Sequence, residues 1–427
     1  MSAEPGRSGQ PSAAFGIRQS AIDNRPLPMR LLVLNHTLRE RGTYFRAWPI
    51  ARGLARRGWE TTFVTVSPRR YYRTSIREED GVRVIETPNW TWPGLEKDDG
   101  WGPLGILERL RLVLRERFDW VYAFAHAPNC YTPARWAARW RGARLAVDWC
   151  DDFGGGVFPQ REFLRSGLPR PMRWKWAVQR WAERHEARTE RAILRRAEKV
   201  TVISQTLFDK AIAYGVAAPR LRLAPSGADL EMFAPRPRGE ARLALGLPAD
   251  SPILSYVANY HPDEQFLWDA LERVFAGDAL AKLLFTGPPF TDPRSRDPRY
   301  AKRLIALGRI EWGRVPLVLA AGDACLVPLP DTPHNRARCP QKFLDCLAAG
   351  RPIVTNAVGE IGRIFQSHPR IGFASPPAAD AYAGAMLQSL RLSPAEWQAR
   401  SLAARAAAER EFSWERAVKE TAEFLQS

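Results

Sequence analysis

Short apolar runs alternate with amphipathic stretches along the chain from residue 29 onward. The first such unit has an apolar run at 30–35, apolar residues at helical spacing at 47–54 and a β-branched run at 61–66. Gly58 stands where a glycine commonly ends a helix. Because strand, helix and strand follow one another so closely, this unit predicts the βαβ element of a parallel sheet.

The same alternation predicts two separate sheets. Before the Pro-broken, basic stretch 233–239 it predicts a helix at 104–118 and further strands at 82–85, 120–125, 144–148, 200–204 and 221–225. After that stretch it predicts helices at 264–274, 316–321 and 341–349, with strands at 253–258, 283–286, 309–311, 324–329 and 352–355. We therefore predict two Rossmann-like, doubly wound α/β domains that are joined by a linker and face each other across a cleft.

The predicted boundaries follow from these elements. Residues 29–235 form the first domain and residues 236–411 the second, with a final helix at 412–427 expected to pack back on the first. Residues 1–28 are rich in Ser, Gly, Pro and Ala and lack the apolar core of a secretion signal, which predicts a disordered tail. No apolar run approaches the roughly 20 residues that span a bilayer.

Composition narrows the function further. Five cysteines without a CxxC pair favour free thiols in a reducing cytoplasm, and six histidines without an HExxH spacing indicate no zinc site. The 63 Lys and Arg against 46 Asp and Glu give a net charge of +17, which attracts nucleic acid, anionic lipid and phosphorylated ligands alike. No nucleic-acid-binding motif accompanies this charge.

The most cationic stretch is Arg165 to Arg196, which also contains Trp174, Trp176 and Trp181. Tryptophan and arginine together on a helix suit an anionic membrane surface. We therefore expect a cytoplasmic protein that docks peripherally on the inner face of the membrane. A surface helix whose tryptophans pack on their own domain is an equally good interpretation.

Several strand-end segments, taken in order, resemble those of known enzymes. They read TVIS at 201–204, LRLAPSGAD at 221–229, LFTGP at 284–288, AGDACLVP at 321–328, PQKFLDCLAAGRPIV at 340–354 and VGEI at 358–361. Their order and spacing resemble retaining GT-B glycosyltransferases of the family 4 type, the glycosyl transferases group 1. The resemblance implies transfer of a sugar from a nucleotide-sugar to a glycan, lipid-linked or small-molecule acceptor, with retention of configuration and without an essential metal or cofactor.

The donor chemistry is expected in the second domain. The N-terminus of the predicted helix 341–349 favours an anionic phosphate, and Lys342, Arg336 and Arg338 are placed to neutralise a diphosphate leaving group. By resemblance, Asp345 binds the nucleotide ribose and Glu360 a sugar hydroxyl. Gly287 and Asn259, each just after a predicted strand, complete the expected donor site.

The chain departs from the family pattern at this site. The first acid of the family's acidic pair falls on Ala337, and the segment 259–265 lacks the usual Arg and Lys for the diphosphate. Either donor binding rests on Lys342 with Arg336 and Arg338, or the donor differs from the donors that the family uses.

The reacting side is expected in the first domain. His126 lies in a His-Ala-Pro that matches the family's motif, where a neutral imidazole hydrogen-bonds a sugar hydroxyl. Asp151 and Asp152 follow a predicted strand and are candidates to orient or deprotonate the acceptor; loop capping and a metal-binding DxD are the alternatives. Gly42 and Thr43, after the first strand, occupy the family's position for a turn beside donor or acceptor.

Two other functions stay open from the sequence. The chain is also compatible with a GT-B-fold nucleotide-sugar epimerase, and the missing donor-site groups are compatible with a degenerate scaffold subunit that binds a partner through its basic face.

Overall fold

A computed structural model describes residues 28–70, 72–92, 100–152 and 173–427. Its first sheet has eight described strands, in the spatial order β3-β4-β2-β1-β5-β6-β7-β8. They are β1 (Arg30–Leu38), β2 (Glu60–Val66), β3 (Ser75–Glu79), β4 (Val82–Thr87), β5 (Trp120–Phe124), β6 (Arg144–Trp149), β7 (Lys199–Val202) and β8 (Leu221–Leu223). Neighbouring strands pair in parallel, except that β3 runs antiparallel to β4 at the edge.

Helices cover both faces of this sheet. They are α1 (Tyr44–Arg56), α2 (Pro103–Arg115), α3 (Pro128–Arg141), α4 (Arg173–Arg196) and α5 (Gln205–Ala213). The buried residues of α1, including Ala47, Ile50 and Leu54, pack on one face of the sheet. Helices α2 and α3, the end of α4, and α5 pack on the other face. Burial on both faces explains why the central strands are almost continuously apolar.

The second sheet is fully parallel, with the order β11-β10-β9-β12-β13-β14. Its strands are β9 (Ile253–Tyr256), β10 (Lys282–Phe285), β11 (Leu304–Ala306), β12 (Ala324–Val327), β13 (Ile353–Asn356) and β14 (Gly372–Ser375). The remaining helices are α6 (Arg238–Ala244), α7 (Glu264–Gly277), α8 (Val315–Ala321), α9 (Pro333–Ala337), α10 (Gln341–Ala348), α11 (Gly359–Ser367), α12 (Ala379–Leu390), α13 (Pro394–Glu411) and α14 (Trp414–Gln426). The predicted pair of doubly wound α/β domains is confirmed.

Some predicted elements were wrong or missing. The strand expected at 309–311 is a loop that leads into a 3-10 helix at Trp312–Arg314, and the strand lies at Leu304–Ala306 instead. Gly308, with a φ of 64°, turns the chain away after that strand. The edge strand β3 carries mostly charged residues and β14 has four residues, so neither shows the apolar run of a buried strand.

The last helix returns to the first domain. Helix α14 packs along α1, and a Cβ on Gly53 of α1 would lie 2.4 Å from a methyl group of Val418. Just before α14, Ser413 forms an isolated β-bridge with Ala228. Glycine at position 53 therefore permits a helix contact too close for any side chain.

Candidate functional site

Loops at the carboxyl ends of the two sheets meet across a cleft, where open α/β sheets place their ligands. Within the described part of the chain, three hydrogen bonds join the two sides. Ser204 Oγ donates to the Ala337 carbonyl at 2.5 Å and the Gln205 amide to Glu360 Oε2 at 2.8 Å. The side chain of Gln341 donates to the Gly227 carbonyl at 2.9 Å. The two domains are thus held in contact at the site.

A charged cluster lines the second-domain side of the cleft. Lys342, in the first turn of α10, places its ammonium 4.8 Å from the centroid of the Tyr256 ring. Arg338 reaches Asp263 at 3.3 Å and donates to His334 Nε2 at 3.2 Å. Burial, with help from the Arg338 cation, lowers the pKa of Lys342 to about 8. Both cations interact with the Asp263 carboxylate, and Arg338 also interacts with Asp151 of the first domain.

Asp345 lies one turn further along α10 and is buried. It accepts a hydrogen bond from Gln341 Nε2 at 3.0 Å. Burial raises the pKa of Asp345 to about 7, and the nearby Asp229 carboxylate acts in the same direction. Near neutral pH this carboxyl group can therefore donate as well as accept a hydrogen bond.

Two loops meet beside this cluster. A Cβ on Gly287 would lie 2.4 Å from the Ala258 carbonyl oxygen, and the φ of Gly287 is 102°. The close approach of the loops after β9 and β10 thus requires glycine. Asn259 is exposed in the turn that follows β9.

Arg336 and Glu360 have other partners than those expected from the sequence. The Arg336 guanidinium is exposed and forms a two-point pair with Asp331 at 2.5 and 2.7 Å. No hydrogen bond or ion pair connects it to Lys342 or Arg338. Glu360 is buried, and one of its oxygens accepts from the Gln205 amide of the other domain. The structure therefore leaves Arg336 outside the charged cluster and uses Glu360 to hold the domains together.

His126 lies just beyond β5 on the first-domain side. It follows Ala125, whose φ of 92° is unusual for a residue with a side chain. Burial lowers the pKa of His126 to about 3, and His36 and His185 add to this effect. The imidazole is therefore neutral at pH 7. Its Nδ1 lies 3.5 Å from Oε2 of Glu190 on α4.

Asp151 and Asp152 follow β6 and differ in their surroundings. Asp152 is buried and forms an ion pair with Lys210 of α5. Among the described residues, one buried carboxylate oxygen of Asp151, Oδ1, has no hydrogen-bond partner. Burial raises the pKa of Asp151 to about 6, and Arg338 opposes this shift from the other domain. The structure thus brings Asp151 and Arg338 together across the cleft and ties Asp152 to Lys210.

The turn after β1 contributes less than expected. Gly42 is exposed in this turn with a φ of 51°. The Thr43 hydroxyl is buried and donates to Asn35 Oδ1 at 2.6 Å. The proton of this hydroxyl is therefore used in a hydrogen bond within the first domain.

A buried ion pair fixes β6, the strand that precedes Asp151. Arg46 of α1 binds both carboxylate oxygens of Asp148 at 2.8 and 2.7 Å, and both side chains are buried. Asp148 also accepts hydrogen bonds from the hydroxyls of Thr201 at 2.6 Å and Tyr122 at 3.3 Å. This network links α1, β5, β6 and β7 next to the loop that begins with Asp151 and Asp152.

Sequence reasoning missed Asp263 and Glu190. Asp263 lies in the segment that was noted only for lacking cations, yet it is the acidic partner of Arg338. Glu186 and Glu190 are acids one turn apart on a predominantly basic helix, and that spacing is the signal in the sequence for a pair on one face.

Two further findings concern metals and membranes. Within the described residues, no group of three or more His, Cys, Asp and Glu side chains is placed to hold a metal ion. In the same part of the chain, no helix combines the length and apolarity needed to cross a membrane. Of the cationic stretch, residues 165–172 and the side chains of Trp174 and Trp176 lie outside the described part. Trp181 is 58% exposed and contacts Trp101, with ring centroids 5.3 Å apart.

Comparisons with known proteins agree with this architecture. The family described as "Glycosyl transferase 4-like domain" matches residues 41–227, and that described as "Glycosyl transferases group 1" matches residues 251–391. The D-inositol 3-phosphate glycosyltransferase of Kineococcus radiotolerans is 26% identical over 232 residues, which cover 50% of this chain and 47% of that protein. The matched part thus spans about half the length of that relative.

Solved structures resemble the whole described chain. Sucrose-phosphate synthase from Thermosynechococcus elongatus superposes with a TM-score of 0.71 at 18% identity, over 93% of this chain and 98% of that one. The Anabaena protein HepE, solved with UDP-glucose, superposes with a TM-score of 0.65 at 15% identity, over 93% and 99% of the two chains. At these identities the likeness shows a shared fold of two facing domains.

Proposed function

Since the chain belongs to the glycosyltransferases of the GT-B fold, with a glycosyltransferase 4-like first domain and a group 1 second domain, we propose that it moves a sugar from a nucleotide-sugar donor to an acceptor hydroxyl. The observation that carries this proposal is the charged cluster of Lys342 and Arg338 at the cleft, with Asp345 one turn behind it. Negative charge grows on a nucleoside diphosphate as its glycosidic bond breaks, and fixed cations stabilise that charge without reorganising.

The donor fits this cluster group by group. Lys342 and Arg338 bind the diphosphate, the second by exchanging Asp263 for phosphate oxygens. Asp345 binds the ribose diol. Because both cations belong to the protein, leaving-group neutralisation needs no metal ion, and full activity in excess EDTA is the expected result.

The reacting groups lie across the cleft. His126, as a neutral imidazole, hydrogen-bonds a hydroxyl of the donor sugar. Asp151, one of whose carboxylate oxygens has no hydrogen-bond partner in the described part of the chain, orients the acceptor hydroxyl or takes its proton. Following the family resemblance, the transfer retains configuration. The anomeric proton coupling of the isolated product measures this directly, and an inverted product would contradict it.

The relatives suggest which substrates to test first. HepE was solved with UDP-glucose, and the curated relative is named for a phosphorylated inositol acceptor. We therefore take UDP-glucose as the first donor, alongside GDP-, ADP- and dTDP-sugars, and polyhydroxylated small molecules as the first acceptors.

The test compares Lys342→Ala with Arg336→Ala. Both variants lose a cation, but only Lys342 lies in the cluster. Loss of one electrostatic contact to the transition state is expected to lower kcat by about 100- to 1000-fold for Lys342→Ala and to leave Arg336→Ala near the unmodified rate. Activity of Lys342→Ala within a few-fold of the unmodified chain contradicts the phosphate assignment.

The same assays separate the alternative functions. Conversion of the donor sugar without an acceptor indicates an epimerase. Absence of a thermal shift with every nucleotide-sugar indicates a scaffold subunit.

We also propose peripheral docking on an anionic membrane. Exposed tryptophans lie beside arginines on two helices of the first domain: Trp181 on α4, and Trp136 and Trp140 on α3, where the Arg139 guanidinium lies 4.8 Å from the Trp140 ring centroid. Such pairs suit the lipid headgroup region. Flotation with phosphatidylglycerol vesicles at low salt tests this proposal, and a chain that stays at the bottom of the gradient refutes it.

A further inference from the structure

Helix α4 directs two carboxylates into the protein. Glu186 and Glu190 lie one turn apart, and both are buried although basic residues outnumber acidic ones on this helix. Glu186 accepts a hydrogen bond from Trp101 Nε1 at 2.9 Å, and Glu190 accepts one from Trp149 Nε1 at 3.0 Å. A buried carboxylate is costly unless it is bound on several sides, so the surroundings of each one indicate its role.

Glu190 sits where two neighbouring strands end. Strands β5 and β6 pair in parallel up to Phe124 and Asp148, so the residues just beyond them are neighbours. Trp149 is the last residue of β6 and His126 comes just after β5. Oε2 of Glu190 is 3.0 Å from the Trp149 indole nitrogen and 3.5 Å from His126 Nδ1. One carboxylate oxygen therefore joins the ends of both strands at the ligand-binding edge of the sheet.

The Trp149 indole can only donate a hydrogen bond, so its contact fixes Glu190 as an acceptor. A carboxylate facing a neutral imidazole favours the tautomer that presents an N–H toward it. Burial keeps the imidazole neutral, since it lowers the pKa of His126 to about 3. The ring thus carries one proton, and the carboxylate oxygen 3.5 Å from Nδ1 favours its placement on that nitrogen.

We propose that Glu190 is a positioning residue that holds His126 in the tautomer with the proton on Nδ1 and so leaves Nε2 as a hydrogen-bond acceptor for a substrate hydroxyl. The inference rests on the proposed glycosyl transfer, in which His126 contacts the sugar. Glu190 itself touches no substrate and acts through the imidazole.

Other charged groups around this pair leave the assignment intact. His36 and His185 face the imidazole and disfavour a second proton on it. On the far side of Trp149, Lys210 is held by Asp152 and lies 5.6 Å from the indole ring centroid. Its cation interacts with the Glu190 carboxylate from that side.

The test reads the tautomer directly. Long-range ¹H–¹⁵N correlation spectra of the full chain, labelled on its six histidines, distinguish a protonated from an unprotonated ring nitrogen, and a His126→Gln spectrum assigns the signals. In the unmodified chain at pH 7, Nδ1 is expected to be protonated and Nε2 unprotonated. Glu190→Ala is expected to move the proton toward Nε2, and Glu190→Gln to give a mixture.

Activity supplies the second readout. Outer partners that orient a histidine contribute about ten- to a hundredfold at metal sites, and a loss of similar size in kcat is expected for Glu190→Ala, with the donor KM within about twofold. Glu190→Gln should recover part of this loss because its amide oxygen still accepts from Trp149. Glu186→Ala is the matched control: it loses a similar indole contact on the same helix and should leave the His126 tautomer unchanged.

Three results overturn the proposal: an Nε2-protonated ring in the unmodified chain, an unchanged tautomer in both Glu190 variants, or a tautomer change in Glu186→Ala equal to that in Glu190→Ala. Because the spectra need no substrate, they decide the role of Glu190 even if the chain transfers no sugar. Failure of the proposed function would instead appear in the donor-turnover assays.

Discussion

Replacing Asp148 by asparagine should destabilise the first domain strongly. The side chain keeps its shape but loses its charge, which leaves the Arg46 guanidinium buried among neutral partners: the Ser226 hydroxyl, the Ala224 carbonyl and the remaining amide oxygen. The NH2 group of the asparagine also takes the place of a carboxylate oxygen, so that a hydrogen-bond donor meets an arginine N–H where an acceptor is needed. Breaking a buried ion pair in this way costs about 3–5 kcal/mol.

The expected loss is large enough to measure by thermal unfolding. For a domain of roughly 200 residues, 1 kcal/mol corresponds to about 2–4 °C, so the unfolding transition of the first domain should fall by roughly 6–20 °C. Circular dichroism follows this transition. The exposed pair between Arg416 and Glu420 is the control, because Glu420→Gln there should cost less than about 1 kcal/mol.

A double variant separates the ion pair from a general packing effect. Arg46→Met combined with Asp148→Asn removes both charges, so its cost should be at least about 1.5 kcal/mol smaller than the sum of the single costs. A loss below about 1 kcal/mol for Asp148→Asn, or simple additivity in the double variant, would refute the reasoning.

Three further predictions follow from the site. The pH profile of kcat/KM should rise near pH 6, where Asp151 with its raised pKa becomes a carboxylate, and fall near pH 8, where Lys342 with its lowered pKa loses its proton and its charge. Lys342→Arg should move the fall in activity beyond pH 10. A fall that stays near pH 8 in this variant excludes Lys342 as its source. Ala125→Gly should leave the free energy of unfolding unchanged or raise it by about 1 kcal/mol, because glycine relieves the strained φ, whereas Ala123→Gly in the regular strand should lower it by about 0.5–1 kcal/mol in the same denaturant titration. Glu360→Ala should remove the bond to the Gln205 amide, loosen the contact between the domains and increase the radius of gyration in small-angle X-ray scattering; an unchanged radius would show that the other interdomain bonds suffice.

Local pattern accounts for most of the fold. The apolar runs of β1 and β5 and the helical spacing in α1 are properties of neighbouring residues, so they are visible without any knowledge of the third dimension. The strand at 304–306 was misplaced because three residues of moderate apolarity carry little local signal, and its identity depends on pairing with β10.

The site was partly visible for a related reason. Lys342 and Asp345 share one helix, so their spacing alone suggests a common role. The partners of Arg336, Glu360 and Glu190 depend instead on which distant residue comes near: Arg336 bends back to Asp331, while Glu360 meets an amide from the other domain. Charge and spacing along the chain do not indicate which of several distant residues each side chain contacts.

The return of α14 to the first domain means that the polypeptide passes between the domains twice, once before α6 and once between α13 and α14. The bridge between Ala228 and Ser413 brings the end of the first domain beside the second passage. Two neighbouring connections of this kind permit one domain to rotate relative to the other and resist sliding of one domain along the other. A single proteolytic cleavage in the stretch 233–239 would therefore leave the two fragments associated without a covalent bond, because α14 of the second fragment packs on the first domain.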